Sequence, residues 1–319
     1  MDKKKKINRR DFIKQSTAIG AASFLSIELL SGCKEKPAST EKKGSDADIA
    51  VAQGEDYSNN TVKAVGILGG MQAFVPEGAR VAILANPQRN NPGAFTKPEV
   101  LRAAITMCQQ AGAGRIACIS QLPDQNWEAT GLKKVISDEG ADLIIVTGSD
   151  ESQFKTLPVP NGKVLTEAQI MNELFKYDVF IDMPITKDHA GNKFTGTMKN
   201  LMGLSSQKTN RSFHKQGWQT ELNAIDHLEQ CIADLNTVIQ PDLCIVDATE
   251  FITTNGPFGP GEIIKPKKVI AGTDRVAVDS YCCSLWGLEG RDILQITKAH
   301  DHGLGEIDLS KVKIKEVSV

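Results

Sequence analysis

Short apolar runs alternate with amphipathic stretches along most of this chain, and this alternation restricts the fold more than any other feature. The runs at residues 80–85, 115–120 and 243–246 have the length and composition of buried strands, and residues 221–239 repeat apolar side chains at helical spacing. Buried strands that alternate with amphipathic helices build a parallel sheet that is covered on both faces. We therefore predict an α/β fold with a mainly parallel sheet and helices on both faces.

The same periodicity predicts several local features. Thr96, with Glu99 three residues later, has the pattern of a helix-capping box. Residues 127–137 and 167–175 have the apolar spacing of helices. Asp274 precedes an apolar helical run, and we expect its side chain to cap that helix.

The first 33 residues have the features of an export signal. Arg9 and Arg10 lie in a basic segment, and the apolar stretch at residues 18–30 is too short and too polar to span a bilayer. The arginine pair resembles a twin-arginine signal. The segment that ends at Cys33 resembles a lipobox, in which the thiol receives a lipid; an ordinary export signal with a chance cysteine is the alternative. We predict a signal peptide at residues 1–32 and a lipid anchor on Cys33.

These features predict a protein that is exported and lipid-anchored to a membrane, facing the periplasm or the cell exterior. Residues 34–45 are charged and polar, and we predict that residues 33–60 form a disordered tether. Residues 61–319 then form a single α/β domain. The formal net charge of the chain is −2, and removal of the basic signal makes the mature chain more acidic. Nucleic acid is therefore excluded as a partner, because it requires a basic surface.

The cysteines beyond the lipobox lie mostly in apolar runs, where we expect buried small hydrophobic side chains. Their spacing lacks the close pairs of a zinc or iron–sulfur site. The sequence thus gives no iron–sulfur cysteine motif and leaves any metal or cofactor unassigned.

Ligands of such sheets bind in the crevice at the carboxyl ends of the strands. The loops to search are therefore residues 86–95, 184–200, 247–262 and 272–274. The second of these contains Lys187, His189, Lys199 and Asn200, and His214 follows it. Lysine supplies a positive charge for phosphate or carboxylate, and histidine can shuttle a proton or ligate a metal. The alternative is a solvated loop followed by a surface helix.

Three further residues qualify as candidates. Asp247 ends a predicted strand, where a carboxylate can act in catalysis or cap a loop. Gly256 lies in a Gly/Pro loop whose backbone can approach a ligand closely. Asp279 lies in an apolar helix, and a buried carboxylate requires a partner, such as Lys199, a metal or a substrate.

Five segments resemble the family known as domain of unknown function 362: residues 86–87, 96–100, 182–189, 196–203 and 271–279. The most specific are Lys199-Asn200 between flanking glycines and Asp274-x-Val-Ala-x-Asp279. The resemblance covers nearly all of residues 62–318 and implies a shared fold and site, with no stated reaction. Lys97 and Ile185 stand where the family often has His and Lys. Members often carry a ferredoxin-like cysteine cluster, which this chain lacks.

Together these observations predict a site made from the polar loops. The catalytic candidates are Lys187, His189, Lys199 and Asp247. The substrate-binding candidates are Asn86, Asn200, His214, Gly256 and Asp279.

Three functions fit such a site. The first is an exported enzyme that transforms a small anionic molecule in redox metabolism, with lysines that hold the anion and His189 or Asp247 that moves a proton. The second is a lipoprotein that binds a solute or a metal without chemistry. The third is a subunit that anchors a redox partner protein to the membrane, which a large exposed apolar patch would favour.

Overall fold

An eight-stranded sheet forms the centre of the protein in the computed structural model, which describes residues 47–319. Three two-stranded sheets accompany it in the described residues. All the strands, in chain order, are β1 (Ile49–Gln53), β2 (Arg80–Ala85), β3 (Arg115–Ser120), β4 (Asp142–Ile145), β5 (Phe154–Pro158), β6 (Glu167–Met171), β7 (Val179–Met183), β8 (Lys187–His189), β9 (Lys193–Thr195), β10 (Leu243–Ala248), β11 (Phe251–Ile252), β12 (Ile263–Ile264), β13 (Lys268–Gly272) and β14 (Ile314–Ser318). The order of the eight strands in the large sheet is β14-β1-β13-β10-β7-β2-β3-β4, and the two-stranded sheets are β5-β6, β8-β9 and β11-β12.

Helices cover both faces of this sheet. They are α1 (Tyr57–Ile67), α2 (Pro98–Gln110), α3 (Asp124–Ala129), α4 (Leu132–Asp138), α5 (Thr197–Asn200), α6 (Gln207–Phe213), α7 (Leu222–Leu235), α8 (Arg275–Ser284) and α9 (Leu294–Asp301). Side chains alternate across each strand, so Val81 and Ile83 pack with α1, α2 and α4, whereas Ala82 and Leu84 face α5 and the helices after it. The predicted α/β class, with helices on both faces, is confirmed.

Strand β13 is the exception to the parallel arrangement. It runs antiparallel to both of its neighbours, β1 and β10, while every other neighbouring pair in the sheet is parallel. Gly272 pairs with Cys244 near the start of β10. The loop at residues 272–274 therefore lies at the edge opposite the carboxyl ends of the other strands. The prediction that this loop belongs to the site loops is wrong.

The folded part begins earlier than predicted. Strand β1 lies between β13 and β14, and the side chains from Ile49 to Ala52 are fully buried. Asp56 then caps α1 by accepting a hydrogen bond from the amide of Asn59, at 2.9 Å. The predicted boundary at residue 60 is therefore wrong, because the apolar residues 49–52 form a buried strand next to the edge strand β14. The signal peptide, Cys33 and residues 33–46 lie outside the described residues.

Three local predictions also differ from the structure. Residues 167–175 form strand β6 and a 3-10 turn, because alternate side chains of β6 are buried against β5. The predicted helix at residues 127–137 is split at Gly131, whose φ is +75°. The Thr96 hydroxyl donates to the carbonyl of Met183 at 2.9 Å and caps no helix, so the capping box is wrong.

Two other local predictions agree with the structure. Asp274 accepts hydrogen bonds from the amides of Val276 and Ala277, each at 3.0 Å, and caps α8. The cysteines among residues 47–319 are buried and unpaired. Burial raises the pKa of their thiols, for example to about 12 for Cys108, so they are packed as small apolar side chains.

Candidate functional site

Strands β2, β7 and β10 end side by side, and the polar loops that follow them meet there. Ala85 pairs with Met183 in the parallel register of β2 and β7. The chain that leaves β7 turns into the β8–β9 hairpin and then into α5. The loops at residues 86–95 and 184–200 are thus brought together, as the rule for parallel sheets predicts.

Lys187 is fully buried at the start of the hairpin. Its ammonium donates to the carbonyl of Ala94 at 2.7 Å, to Gln88 Oε1 at 3.1 Å and to Asn86 Oδ1 at 3.4 Å. Burial, with the nearby charge of Lys199, lowers its pKa to about 7. An ammonium group has three donors, so Lys187 has none to spare for a ligand. It joins the two loops and adds positive charge.

Lys199 differs because its ammonium lacks oxygen acceptors. Only 7 % of the residue is exposed. Among residues 47–319, the single hydrogen-bond partner of its Nζ is the sulfur of Met202 at 3.5 Å, which is a weak acceptor. Burial lowers the pKa of Lys199 to about 8, while the charge of Glu229 acts in the opposite direction. Lys199 therefore has donors left for a ligand.

His189 and His214 have the same fixed tautomer. Nδ1 of His189 lies 2.8 Å from the carbonyl of Ala190, and Nδ1 of His214 lies 2.8 Å from the carbonyl of Asn210. A carbonyl only accepts, so each Nδ1 carries the hydrogen and each neutral ring keeps its lone pair on Nε2. Both rings contact Trp218, with centroids 5.6 and 4.8 Å away.

The four basic side chains also influence each other electrostatically. Burial, followed by the charge of Lys199, lowers the pKa of His189 well below its ordinary value, and Lys187 and His214 lower it further. Burial and the charge of Lys199 likewise lower the pKa of His214. We refer to Lys187, His189, Lys199 and His214 as the basic cluster.

Asn86 and Asn200 join the strand ends beneath this cluster. Asn86 Nδ2 donates to Asn200 Oδ1 at 3.2 Å. Asn200 Nδ2 donates to Asp182 Oδ1 at 2.7 Å and to the carbonyl of Leu84 at 3.1 Å. Burial raises the pKa of Asp182 well above its ordinary value. The two asparagines are thus held within the protein's own network, which positions the loops.

Both aspartates among the candidates have their oxygens occupied by protein donors. Asp247 accepts from the amide of Lys97 at 2.7 Å, and from the amide and hydroxyl of Thr249 at 2.9 and 2.7 Å. Asp279 accepts from the amide and hydroxyl of Thr197 at 2.7 and 2.8 Å, and from the amide of Met198 at 3.1 Å. The geometry favours the structural alternative for both, and the partner of Asp279 is the start of α5.

Gly256 packs against the hairpin. Its amide donates to Asp188 Oδ2 at 2.7 Å, and a Cβ at this position would lie only 1.8 Å from the carbonyl oxygen of Asp188. The glycine is therefore required by the approach of its loop to β8, and this contact itself explains the residue.

Glu229 is a member of the site that the sequence reasoning missed. It is buried on α7, and Oε2 accepts from the amide of Gln295 at 2.6 Å. Burial raises its pKa to about 7, and the Gln295 amide, the Asn192 side chain and the charge of Lys199 oppose that rise. Glu229 lies four residues after Ile225 and three before Ile232, so it falls on the apolar stripe of the helix. This spacing is the feature of the sequence from which its burial could have been predicted.

The described part of the chain gives two further facts about ligands and membranes. Between residues 47 and 319, no group of three or more His, Cys, Asp or Glu side chains is arranged to hold a metal ion. In that same range no helix has the length and apolar character needed to cross a bilayer.

The chain is similar to a curated protein and to solved structures. A thylakoid-associated protein of Synechocystis sp. is 27% identical over 200 residues, which cover 60% of this chain and 58% of the relative. The chain thus spans less than two thirds of that relative's length. A Thermotoga maritima protein has 13% identity and a TM-score of 0.46, covering 73% of this chain and 60% of its own. The lactate racemase apoprotein of Thermoanaerobacterium thermosaccharolyticum has 13% identity and a TM-score of 0.43, with 82% and 56% covered.

The family comparison covers one continuous part of the chain. The model of the family described as Domain of unknown function (DUF362) matches residues 81–284. This range includes the polar loops, the basic cluster and Glu229. Because the match spans more than half of the chain, the protein belongs to the DUF362 family.

Proposed function

We propose that this protein is an exported, membrane-tethered lipoprotein that binds a small anionic molecule at the basic cluster and can act on it by proton transfer, in redox metabolism. The observation that carries the proposal is the buried ammonium of Lys199, which has no oxygen acceptor among the described residues. Burial of a charge without a partner is costly. A bound anion would supply the missing partner.

The surroundings of Lys199 support an anion as the ligand. Lys187 adds a second buried basic group, which is partly protonated at neutral pH because its pKa is about 7 and whose own donors are satisfied by the protein. Glu229 is the carboxylate that acts on Lys199, and burial raises its pKa to about 7, which weakens its negative charge at neutral pH. The cluster therefore carries a net positive charge that the protein neutralises only in part.

Two observations bear on whether the bound molecule is transformed. His189 and His214 both keep an unprotonated Nε2, and their lowered pKa values keep each ring neutral and able to accept a proton at neutral pH. A lipoprotein that only captures a solute would use Lys199 but has no need of two free bases. This difference favours the enzyme over the binding protein. The reaction belongs to the class of proton transfers on an anion.

The proposal of a membrane tether is based on the N-terminal sequence. Arg9, Arg10 and the small residues before Cys33 have the pattern of a twin-arginine lipoprotein signal. A relative that is thylakoid-associated supports a place at a membrane. An acylated cysteine would supply the attachment, since several acyl chains hold a protein firmly to a bilayer.

The binding of an anion can be tested by calorimetric titration of the whole protein with acetate, sulfate and inorganic phosphate at pH 7 and low ionic strength. We expect saturable binding of at least one of them at a single site, and loss of that binding in Lys199→Met. Lys208→Met is the matched control, because it removes the same charge from an exposed lysine that is paired with Glu151 at 3.3 Å. Equal binding by the wild type and Lys199→Met would reject the site.

A further inference from the structure

The hydrogen-bonding groups of the basic cluster restrict the chemistry of its ligand, if the proposed anion site is correct. Lys187 has its donors filled by Ala94, Gln88 and Asn86. Lys199 then offers the available ammonium, which donates to an anionic oxygen. One available positive charge suits a monoanion such as a carboxylate.

The two imidazoles place a different demand on the ligand. His189 and His214 each donate from Nδ1 to a backbone carbonyl, at 2.8 Å in both cases. Each Nε2 is thus an acceptor when the ring is neutral. A ligand composed only of acceptor oxygens would place lone pairs against lone pairs at these two atoms, which is unfavourable. The ligand therefore needs a hydroxyl group that donates to them.

Trp218 places the third restriction on the ligand. Its indole contacts both imidazoles, and Trp218 and His214 are partly exposed while His189 and Lys199 are buried. An apolar ring beside both imidazoles suits the carbon skeleton of a small organic acid.

We propose that the ligand is a small hydroxycarboxylate, whose carboxylate accepts from Lys199 and whose hydroxyl donates to Nε2 of His189 or His214. This inference rests on the proposed function and adds the chemical class of the ligand. It assigns the recognition of the hydroxyl to the two histidines and the recognition of the negative charge to Lys199.

A pair of acids that differ by one hydroxyl tests this assignment. Glycolate and acetate are titrated into the whole protein by calorimetry at pH 7.5. We expect glycolate to bind about tenfold more tightly than acetate, the ratio expected from one additional hydrogen bond in a desolvated site. Inorganic phosphate is the third ligand, and it is expected to bind more weakly than glycolate, because it is mainly a dianion at this pH.

Variants of the histidines show which group recognises the hydroxyl. His214→Phe keeps an aromatic ring against Trp218 and removes Nε2, and His189→Phe does the same on the buried side. We expect the glycolate-to-acetate ratio to fall toward one in at least one of them. The surface variant Lys208→Met should retain the full ratio.

The outcomes separate the two proposals. Equal affinities of the wild type for glycolate and acetate would overturn the hydroxycarboxylate and leave the anion site standing. Tighter binding of phosphate than of glycolate would assign the site to an inorganic oxyanion and also overturn this inference. Failure of all three anions to bind would reject the proposed function itself. A ratio that persists in both folded histidine variants would show that neither imidazole recognises the hydroxyl.

Discussion

Replacement of Lys199 and Glu229 by uncharged side chains should stabilise the protein while it abolishes anion binding. Both residues are buried, at 7% and 1% exposure. Burial lowers the pKa of Lys199 from 10.5 to about 8 and raises that of Glu229 from 4.5 to about 7. The mutual attraction of the two groups is therefore too weak to offset the loss of water around each of them.

The size of the effect follows from the shift of the lysine. A lowered pKa means that the unfolded chain binds more protons than the folded protein between pH 8 and 10.5, so this term penalises the folded state fully below pH 8 and fades as the pH rises. A shift of that size corresponds to about 3 kcal/mol. Lys199 and Glu229 interact through their charges without a direct contact, and exchange of buried opposite charges for uncharged residues of similar volume commonly stabilises by about 1–4 kcal/mol. We expect the double variant Lys199→Met/Glu229→Gln to lie in that range.

Urea denaturation at pH 7 and pH 10, followed by far-ultraviolet circular dichroism, measures this change. The gain in the free energy of unfolding should be largest at pH 7 and smaller at pH 10. Lys208→Met is the contrasting variant, because it removes an exposed charge that pairs with Glu151 at 3.3 Å and should change the stability by less than about 1 kcal/mol. A double variant that is less stable than the wild type at pH 7 would refute the reasoning, since the pair would then serve the fold.

Three further predictions follow from the same contacts. Asp279→Asn should lower the free energy of unfolding by about 1–3 kcal/mol in urea denaturation, because the amide cannot accept all three hydrogen bonds from α5; unchanged stability would contradict its structural role. Anion affinity should decrease as the pH rises through about 8, where Lys199 loses its proton; an affinity that rises with pH in calorimetric titrations would count against Lys199. Cys33→Ala should release the exported protein from the membrane fraction into the soluble fraction, as detected by immunoblotting; retention of this variant in the membrane would exclude the lipid anchor.

The strands and the place of the site were predictable because their signals are local. Apolar runs such as residues 80–85 and 115–120 are confirmed as β2 and β3. A polar segment that directly follows a core strand must emerge at the sheet edge, so Lys187 and His189 were expected near the end of β2. The stripe of α7 was also visible in the sequence.

The remaining features depend on contacts between distant segments. The antiparallel direction of β13 cannot be predicted from its own residues, because an apolar strand has the same sequence pattern whether it runs parallel or antiparallel to its neighbours. Asp279 and Thr197 are far apart in sequence, so no local pattern shows that the carboxylate is already occupied. Glu229 shows its unusual position only when its helix is packed against α9.

The most direct test of the central claim is to locate a bound anion in the protein. Crystals equilibrated with sodium bromide would be measured at the bromine absorption edge, where bromide gives an anomalous signal. We expect a bromide within hydrogen-bonding distance of Lys199 Nζ, the group of the cluster whose donors remain available. Bromide sites confined to surface lysines, with the basic cluster empty at saturating concentration, would contradict it.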